Sequence, residues 1–237
     1  MQHLKTGAQK LGIDLSPTQL EQFSLYYHEL IEWNKKINLT SITDPQDAQI
    51  KHFLDSLSLL LALKQPLGDC SFIDIGSGGG FPGLPLKIAF PDIHIVLLEA
   101  TAKKASFLRH VSQQLGLENV EVVGQRAETA AHNDQYRQRF DYAVCRAVAP
   151  LASLAELALP LCSIGGCFIA LKKGDIAAEV ANSARAIETM GGDQPIIKKV
   201  ELEVLADERY LIIIDKIAPT PDKYPRRPGI PTTKPIL

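Results

Sequence analysis

The chain is poor in the features that mark a stapled, metal-bound or membrane protein. Four cysteines, Cys70, Cys145, Cys162 and Cys167, stand in 237 residues, with no pair at C-x-x-C spacing. The six histidines form no H-x-x-x-H pair. This pattern argues against a zinc site or a disulfide framework, so no metal is expected, and the thiols read as small buried hydrophobes in a reducing compartment. Long apolar runs are missing too. The most apolar stretch, Leu57 to Leu63, is interrupted by Ser58 and falls far short of the roughly 18 apolar residues of a membrane span. Met1 to Lys10 carries two lysines with no apolar run behind them, unlike a secretory signal. The expected location is the cytoplasm, away from membranes. A net charge of −2 neither demands nor forbids a nucleic-acid partner.

What is present has a clear rhythm. The first 65 or so residues read as helices. Ser16, Pro17 and Gln19 form a start signal with a capping box, followed by Leu20, Phe23, Tyr27, Leu30 and Ile31 at helical spacing. Asp44, Pro45 and Asp47 start a second helix, with Ile50, Phe53, Leu54, Leu57, Leu60 and Leu61 on one face. Pro66, Leu67 and Gly68 close it. Short apolar strands then alternate with helices. The strands are 71–75, 93–98, 120–123, 140–145 and 167–171; the helices are 82–90, 102–115, 151–159 and 176–190. Strands without polar alternation, separated by helices, predict a parallel sheet covered on both faces. Two further strands, 196–205 and 209–217, are separated only by Ala206, Asp207 and Glu208, too short for a parallel crossover and therefore a hairpin. A parallel sheet finished by an antiparallel hairpin outlines an α/β, Rossmann-like class I methyltransferase with seven strands. The expected organisation is an N-terminal helical extension (1–66), a methyltransferase domain (67–218) and a basic proline-rich tail (219–237), extended rather than helical.

The strand 72–75 runs into Gly76-Ser77-Gly78-Gly79-Gly80-Phe81-Pro82-Gly83. Such a loop lets the backbone approach a ligand, and the helix start behind it favours a negative group. Gly78-x-Gly80-x-x-Gly83 also matches the nicotinamide-dinucleotide pattern. Asp74, two residues before Gly76, tips the reading. A carboxylate there suits an amino group, which S-adenosylmethionine has and NAD lacks. Glu99 ends the next strand, where an acid bonds ribose hydroxyls in either cofactor. Arg126-Ala127-Glu128 follows the third strand, beside the place of an adenine ring. Arg146 lies just past the fourth strand, at the carboxyl end where ligands of open α/β sheets bind. Its truncation to alanine is expected to abolish activity with little loss of fold stability.

Methyl transfer mainly requires alignment of acceptor, methyl and leaving sulfur. The Asn/Asp-Pro-Pro-aromatic loop typical of exocyclic-amine acceptors is missing after strand four, where the chain reads Cys145-Arg146-Ala147-Val148-Ala149-Pro150. Cys145 stands where a cytosine-C5 nucleophile would, but inside an apolar strand, so a buried core role is expected. A ring nitrogen such as guanine N7 needs no proton removed, and arginine matches the N7/O6 acceptor pair of guanine.

With these residues assembled, the chain resembles the RsmG (GidB) family of bacterial 16S rRNA guanine-N7 methyltransferases over nearly its whole length. The resemblance rests on Trp33-Asn34 to Asn38-Leu39-Thr40, His52-Phe53-Leu54-Asp55-Ser56, the glycine loop with Asp74, and Leu98-Glu99-Ala100-Thr101 with Lys103-Lys104. It continues through Arg126-Ala127-Glu128, Arg146-Ala147-Val148-Ala149, Leu171-Lys172-Lys173-Gly174 and Tyr224-Pro225-Arg226-Arg227-Pro228-Gly229. It implies S-adenosylmethionine as methyl donor, held by Gly76, Phe81, Glu99, Ala100, Thr101, Ala127, Glu128 and Arg146, with Asp74 and Gly78 of the loop beside them. It implies 16S rRNA, or the 30S subunit, as partner. Arg146 and Lys172 are the catalytic candidates, and Arg126, Lys172, Arg209, Arg226 and Arg227 the RNA-facing ones. The tail region 215–237 holds five cations, Lys216, Lys223, Arg226, Arg227 and Lys234, against Asp215 and Asp222, a balance suited to phosphate contact. His52 and Asp55, three apart on a helix, are expected to pin the N-terminal helices to the sheet rather than to face substrate. A monomer is expected. Three other readings stand beside this one: a methyltransferase for another RNA site or a small molecule, a nicotinamide oxidoreductase, and an RNA-binding protein with a vestigial cofactor fold.

Overall fold

The computed structural model describes residues 1–64, 66–146, 149–205 and 207–237. Seven strands form one sheet: β1 (Ser71–Ile75), β2 (His94–Leu98), β3 (Val120–Val123), β4 (Phe140–Arg146), β5 (Cys162–Lys173), β6 (Ile196–Lys199) and β7 (Arg209–Asp215). Their order is β3-β2-β1-β4-β5-β7-β6. β1 to β5 pair in parallel, and β7 runs antiparallel to both β5 and β6. β1, β2 and β4 are buried on both faces, as their unalternated apolar sequence requires.

One face carries α1 (Gln2–Lys10), α2 (Pro17–Asn34), a helical run from Pro45 to Ala62, α5 (Gly83–Ala89) and α6 (Ala102–Gln114). The other carries α7 (Ala127–Ala130), α8 (Leu151–Ala158), α9 (Ala177–Ala181) and α10 (Ala184–Thr189). A short α11 (Ile230–Thr233) packs on α8. Among the described residues no helix is long and apolar enough to cross a membrane. The N-terminal helices share one continuous apolar cluster with the sheet, from Leu4, Phe23 and Phe53 to Phe72, Val144 and Leu211. The start of α2 is the expected capping box: Ser16 Oγ accepts from Gln19 N–H, and Gln19 Oε1 accepts from Ser16 N–H.

Several expectations need correction. The run from Pro45 is not one regular helix. It begins as α3 (Pro45–Ala48), widens into a π-helix over Gln49–Leu54, passes through α4 (Asp55–Leu57) and tightens into a 3-10 turn over Ser58–Ala62. The change of pitch buries Leu59 completely and leaves Leu60 and Leu61 half-exposed. Helix 176–190 is two short helices broken at Asn182-Ser183. β6 stops at Lys199. The nine-residue stretch to β7 turns inward to bury Val200, Leu202 and Leu205 in the N-terminal cluster, and Ala206 lies outside the described residues. β5 begins five residues early, because a bulge at Gly165-Gly166 lets Cys162 pair with Phe140 before Cys167 pairs with Tyr142. The tail is not simply extended: Thr220, Pro225 and Pro231 are buried, and α11 forms within it.

Candidate active site

The glycine loop caps β1 and opens α5. Gly76, Gly78 and Gly80 all have positive φ, at 69°, 57° and 92°, where a Cβ is strained. Gly80 has a further constraint, because an added Cβ would lie 2.5 Å from the Tyr26 hydroxyl of α2. The same hydroxyl donates to Gly79 O. At Gly83 a Cβ would lie 2.6 Å from Leu97, so glycine there lets α5 press onto β2. The N-terminal helices thus hold the loop from below.

Asp74 sits beneath this loop with no exposure. Its Oδ2 accepts from Gly83 N–H at 2.9 Å, and its Oδ1 is buried without a hydrogen-bond partner among the described residues. Burial raises its pKa to about 7, against the lowering effect of the Gly83 N–H. The expectation that Asp74 faces a ligand's amino group is therefore corrected. Its carboxyl is sealed under the loop and holds the start of α5. Phe81 is likewise committed through its ring, which stacks on His52 at 4.4 Å and Tyr26 at 5.5 Å, with the Arg146 guanidinium 4.8 Å from its centroid.

The two acids expected on the cofactor side, Glu99 and Glu128, are arranged differently. Glu99 is nearly buried. Its Oε2 accepts from Gly78 N–H at 3.0 Å and its Oε1 from Thr101 N–H at 2.7 Å. Each oxygen keeps a second lone pair, and Ala100 and Thr101 beside it are exposed. Glu128 is also nearly buried; its Oε1 accepts from Gly229 N–H at 2.8 Å. Among the described residues its Oε2 has no hydrogen-bond partner, and it is not among the sealed, unsatisfied atoms. A ribose diol at Glu99 and an amino-bearing base at Glu128, joined across loop backbone that side chains do not screen, fit these donors and acceptors.

Over β4, β5 and β7 the site consists of cations. Arg146 Nη1 donates to Lys51 O at 2.9 Å and Asp55 Oδ2 at 3.1 Å, and Nη2 donates to His52 Nδ1 at 3.0 Å. Among the described residues three of its five N–H groups are thereby used. Because a guanidinium can only donate, His52 Nδ1 is the acceptor. The proton then sits on Nε2, which donates to Thr40 Oγ1 at 2.7 Å. Burial and the Arg146 charge push His52 down to about 3, so it is neutral at physiological pH. Asn34 secures the chain before it, accepting from Leu39 and Thr40 N–H and donating to Thr40 O. Asp55 Oδ1 accepts from Arg209 Nε at 3.1 Å, so one buried carboxylate holds arginines of β4 and β7. His52 and Asp55 do pin the N-terminal helices, and they do so through the arginines of the site. The π-helix carries His52, consistent with the concentration of such segments at functional sites.

Lys172 Nζ donates to Ala149 O at 2.7 Å and pairs with Glu179 at 2.6 Å, while Glu179 Oε1 also accepts from Leu151 N–H. A cleft of about 600 Å³ lies here, lined by Ala149, Pro150, Lys172, Glu179 and Asn182. Ala147 and Val148, part of the strand-four motif, lie outside the described residues. Cys145 is fully buried, and burial pushes its thiol up to about 12, so it is core as expected.

The RNA-facing expectation needs revision. Lys172 and Arg209 are mostly buried in ion pairs. Arg226 is bound to Glu156, and Lys216 is buried with its amine on Met190 O and Thr220 Oγ1. Burial lowers Lys216 to about 8. The excess positive charge of the tail region is thus partly consumed inside the protein. Arg126 and Arg227 are exposed, as are Lys103 in the first turn of α6 and Lys173 at the carboxyl end of β5. Lys173 was signalled only as the neighbour of Lys172. Thr40 and Asn34 carried no chemical signal apart from the family motif.

A family profile described as GidB, rRNA small subunit methyltransferase G, matches residues 19–209. The chain is similar to a protein of Dehalococcoides mccartyi named ribosomal RNA small subunit methyltransferase G, 53% identical over 237 residues and covering 100% of both chains. A protein of the same name from Roseiflexus castenholzii is 46% identical over 239 residues, again covering 100% of both. Among solved structures, a SAM-dependent methyltransferase from Aquifex aeolicus aligns with TM-score 0.53 at 14% identity, over 79% of this chain and 98% of that one. A predicted O-methyltransferase from Agrobacterium tumefaciens aligns with TM-score 0.55 at 18% identity, over 68% and 80%. These structures share the seven-stranded methyltransferase fold; the full-length sequence relatives and the profile go further, and this chain belongs to the rRNA small subunit methyltransferase G family.

Proposed function

We propose that this protein transfers a methyl group from S-adenosylmethionine to N7 of a guanine in 16S rRNA, acting as a cytoplasmic monomer on the RNA or the 30S subunit. The observation that carries the reading is Arg146, fixed at the carboxyl end of β4 against Phe81 of the glycine loop, with three of its five N–H groups spent among the described residues. S-adenosylmethionine supplies an electrophilic methyl carbon on a sulfonium sulfur. Glu99 orients the ribose and Glu128 the adenine, so that the glycine loop faces the rest of the cofactor. Arg146 would donate to O6 of the guanine and leave the N7 lone pair free to take the methyl, the bond to sulfur breaking as S-adenosylhomocysteine leaves. No proton has to leave N7. That agrees with the groups nearest Arg146: His52 is bonded at both ring nitrogens and Asp55 at both oxygens. Lys172, set by Glu179, shapes the cleft beside the loop after β4. Exposed Lys103, Arg126, Lys173 and Arg227 meet phosphates.

The test uses labelled S-adenosylmethionine and 30S subunits lacking the modification, followed by nuclease mapping. Label on one guanine, cleaved by chemistry specific for 7-methylguanine, is the expected result. Tight cofactor binding with no label in rRNA sinks the substrate assignment.

A further inference from the structure

The segment 219–237 follows the sheet and is fastened along α7 and α8 at closely spaced points. Arg137 donates to the carbonyls of Thr220, Pro221 and Tyr224, and also to Ala131 O before them. His132 Nε2 contacts Pro225 O at 2.7 Å. Arg226 grips Glu156 of α8 through its backbone N–H and its side-chain fork, at 2.6–3.1 Å. Glu156 is almost wholly buried and spends both oxygens on this one residue. Three residues later Gly229, in the left-handed region at φ 85°, turns its N–H onto Glu128 Oε1. Thr232 and Thr233 hydroxyls close back on Gly229 O. The path ends on the acid that stands beside the adenine place.

We propose that this segment is a strap that orients Glu128 for the exocyclic amine of adenine, with Arg226 as a positioning residue for cofactor selection rather than an RNA contact. The inference rests on the assignment of Glu128 to adenine under Proposed function. One Glu128 oxygen is held by Gly229 N–H, so turning the carboxylate costs that bond, and the other oxygen, unpartnered among the described residues, presents its lone pairs in a preferred direction. An amine donates to that oxygen. A 6-oxo group in its place brings two acceptors together, leaving a nearly buried acid unpaired. Arg226 sets the position of Gly229 because the Glu156 pair is the last charged anchor before it. The Arg226–Glu156 fork is bidentate and geometrically strict, which a flexible lysine does not reproduce.

The experiment compares binding of S-adenosylhomocysteine and S-inosylhomocysteine by calorimetry, in the full chain, for wild type, Arg226→Ala, Arg226→Lys and Glu128→Gln. Wild type is expected to favour the adenosyl form by about 10-fold or more. Arg226→Ala and Arg226→Lys bring that preference close to one, while the salt dependence of rRNA binding keeps its slope. If Arg226→Ala fails to fold with Glu156 left unpaired, the double variant Arg226→Gln/Glu156→Gln removes both charges and serves in its place, with the same expectation. An unchanged preference in the Arg226 variants, with a collapsed one in Glu128→Gln, overturns the strap alone. An unchanged preference in Glu128→Gln overturns the adenine assignment and the strap with it. A salt slope reduced by about one in Arg226→Ala, with cofactor binding intact, returns Arg226 to the RNA.

Discussion

Over β1 and β2 the groups assigned to the cofactor are backbone and one acid that lie close together in the chain: Gly78 meets Glu99 across 21 residues, and Glu99 meets Thr101 across two. Over β4 and β7 the groups are arginines, and the acid that fixes them comes from the N-terminal helices, 91 and 154 residues away. The first half is shaped by the strand-loop-helix turn that makes it, and the N-terminal helices brace it by one neutral hydrogen bond, from the Tyr26 hydroxyl to Gly79 O, and by ring packing on Phe81. The second is a set of charges that stays in place only while a distant segment holds it. Cofactor binding should therefore survive damage that acceptor positioning does not.

Asp55→Ala gives the largest test of that difference. It leaves two guanidiniums facing each other where one carboxylate had bridged them. The loss expected for breaking a buried pair is about 3 kcal/mol, read by chemical denaturation. Turnover on rRNA should fall about 100-fold, the cost of misplacing a positioning group by an ångström or so. Binding of S-adenosylhomocysteine should fall far less. Equal losses in binding and turnover would show that the two halves are one unit. Arg146→Ala should also abolish turnover, but it is not neutral for the fold. It strips His52 and Asp55 of a partner, and the cost is smaller than that of Asp55→Ala only because Arg209 still neutralises the carboxylate.

The same asymmetry governed what could be read in the sequence. The places of the glycine loop, Glu99 and Glu128 at the carboxyl ends of strands were legible because a short turn between a strand and a helix leaves few places for such residues. The parallel order of the strands followed from their unalternated apolar runs. Asp74 was misread because a carboxylate two residues before a glycine loop can point up to a ligand or down to a helix start, and spacing does not distinguish them; Gly83 N–H decides it. The ion pair of Arg226 was not legible because its partner Glu156 lies 70 residues back on a helix with no local mark of it. The π-helical widening at Gln49–Leu54 left no signal in a pattern that fits α-helical spacing equally well. The early His52 to Asp55 motif was visible, but the arginines it holds come from β4 and β7, 91 and 154 residues further along the chain than Asp55.

Glu179→Ala tests the acceptor half where its fixing acid is local. Glu179 lies seven residues from Lys172 and also accepts the Leu151 N–H at the start of α8. Losing that contact should cost about 1 kcal/mol, the scale of a helix cap. The freed Lys172 loses its hold on Ala149 O, so turnover should drop with little change in cofactor affinity. A fall in cofactor affinity as large as the fall in turnover would place this cleft on the cofactor side.

The smallest effect, and the sharpest on the cofactor half, concerns the titration of Asp74. Burial raises its folded pKa from an ordinary carboxylate value to about 7. An acid with a raised folded pKa binds its proton more tightly in the native state. Its contribution to stability is therefore present below the unfolded pKa and is lost as pH rises through about 7. Stability of the wild type should thus decline between pH 5 and pH 8 by a component absent from Asp74→Asn, measured as the difference in denaturation midpoints across that range. Asparagine keeps an oxygen for Gly83 N–H and carries no charge to desolvate, so the variant should fold and hold α5 in place. If wild type and Asp74→Asn follow parallel pH curves, Asp74 is ionised throughout, and its second oxygen has a partner that the sealed geometry beneath the glycine loop does not supply.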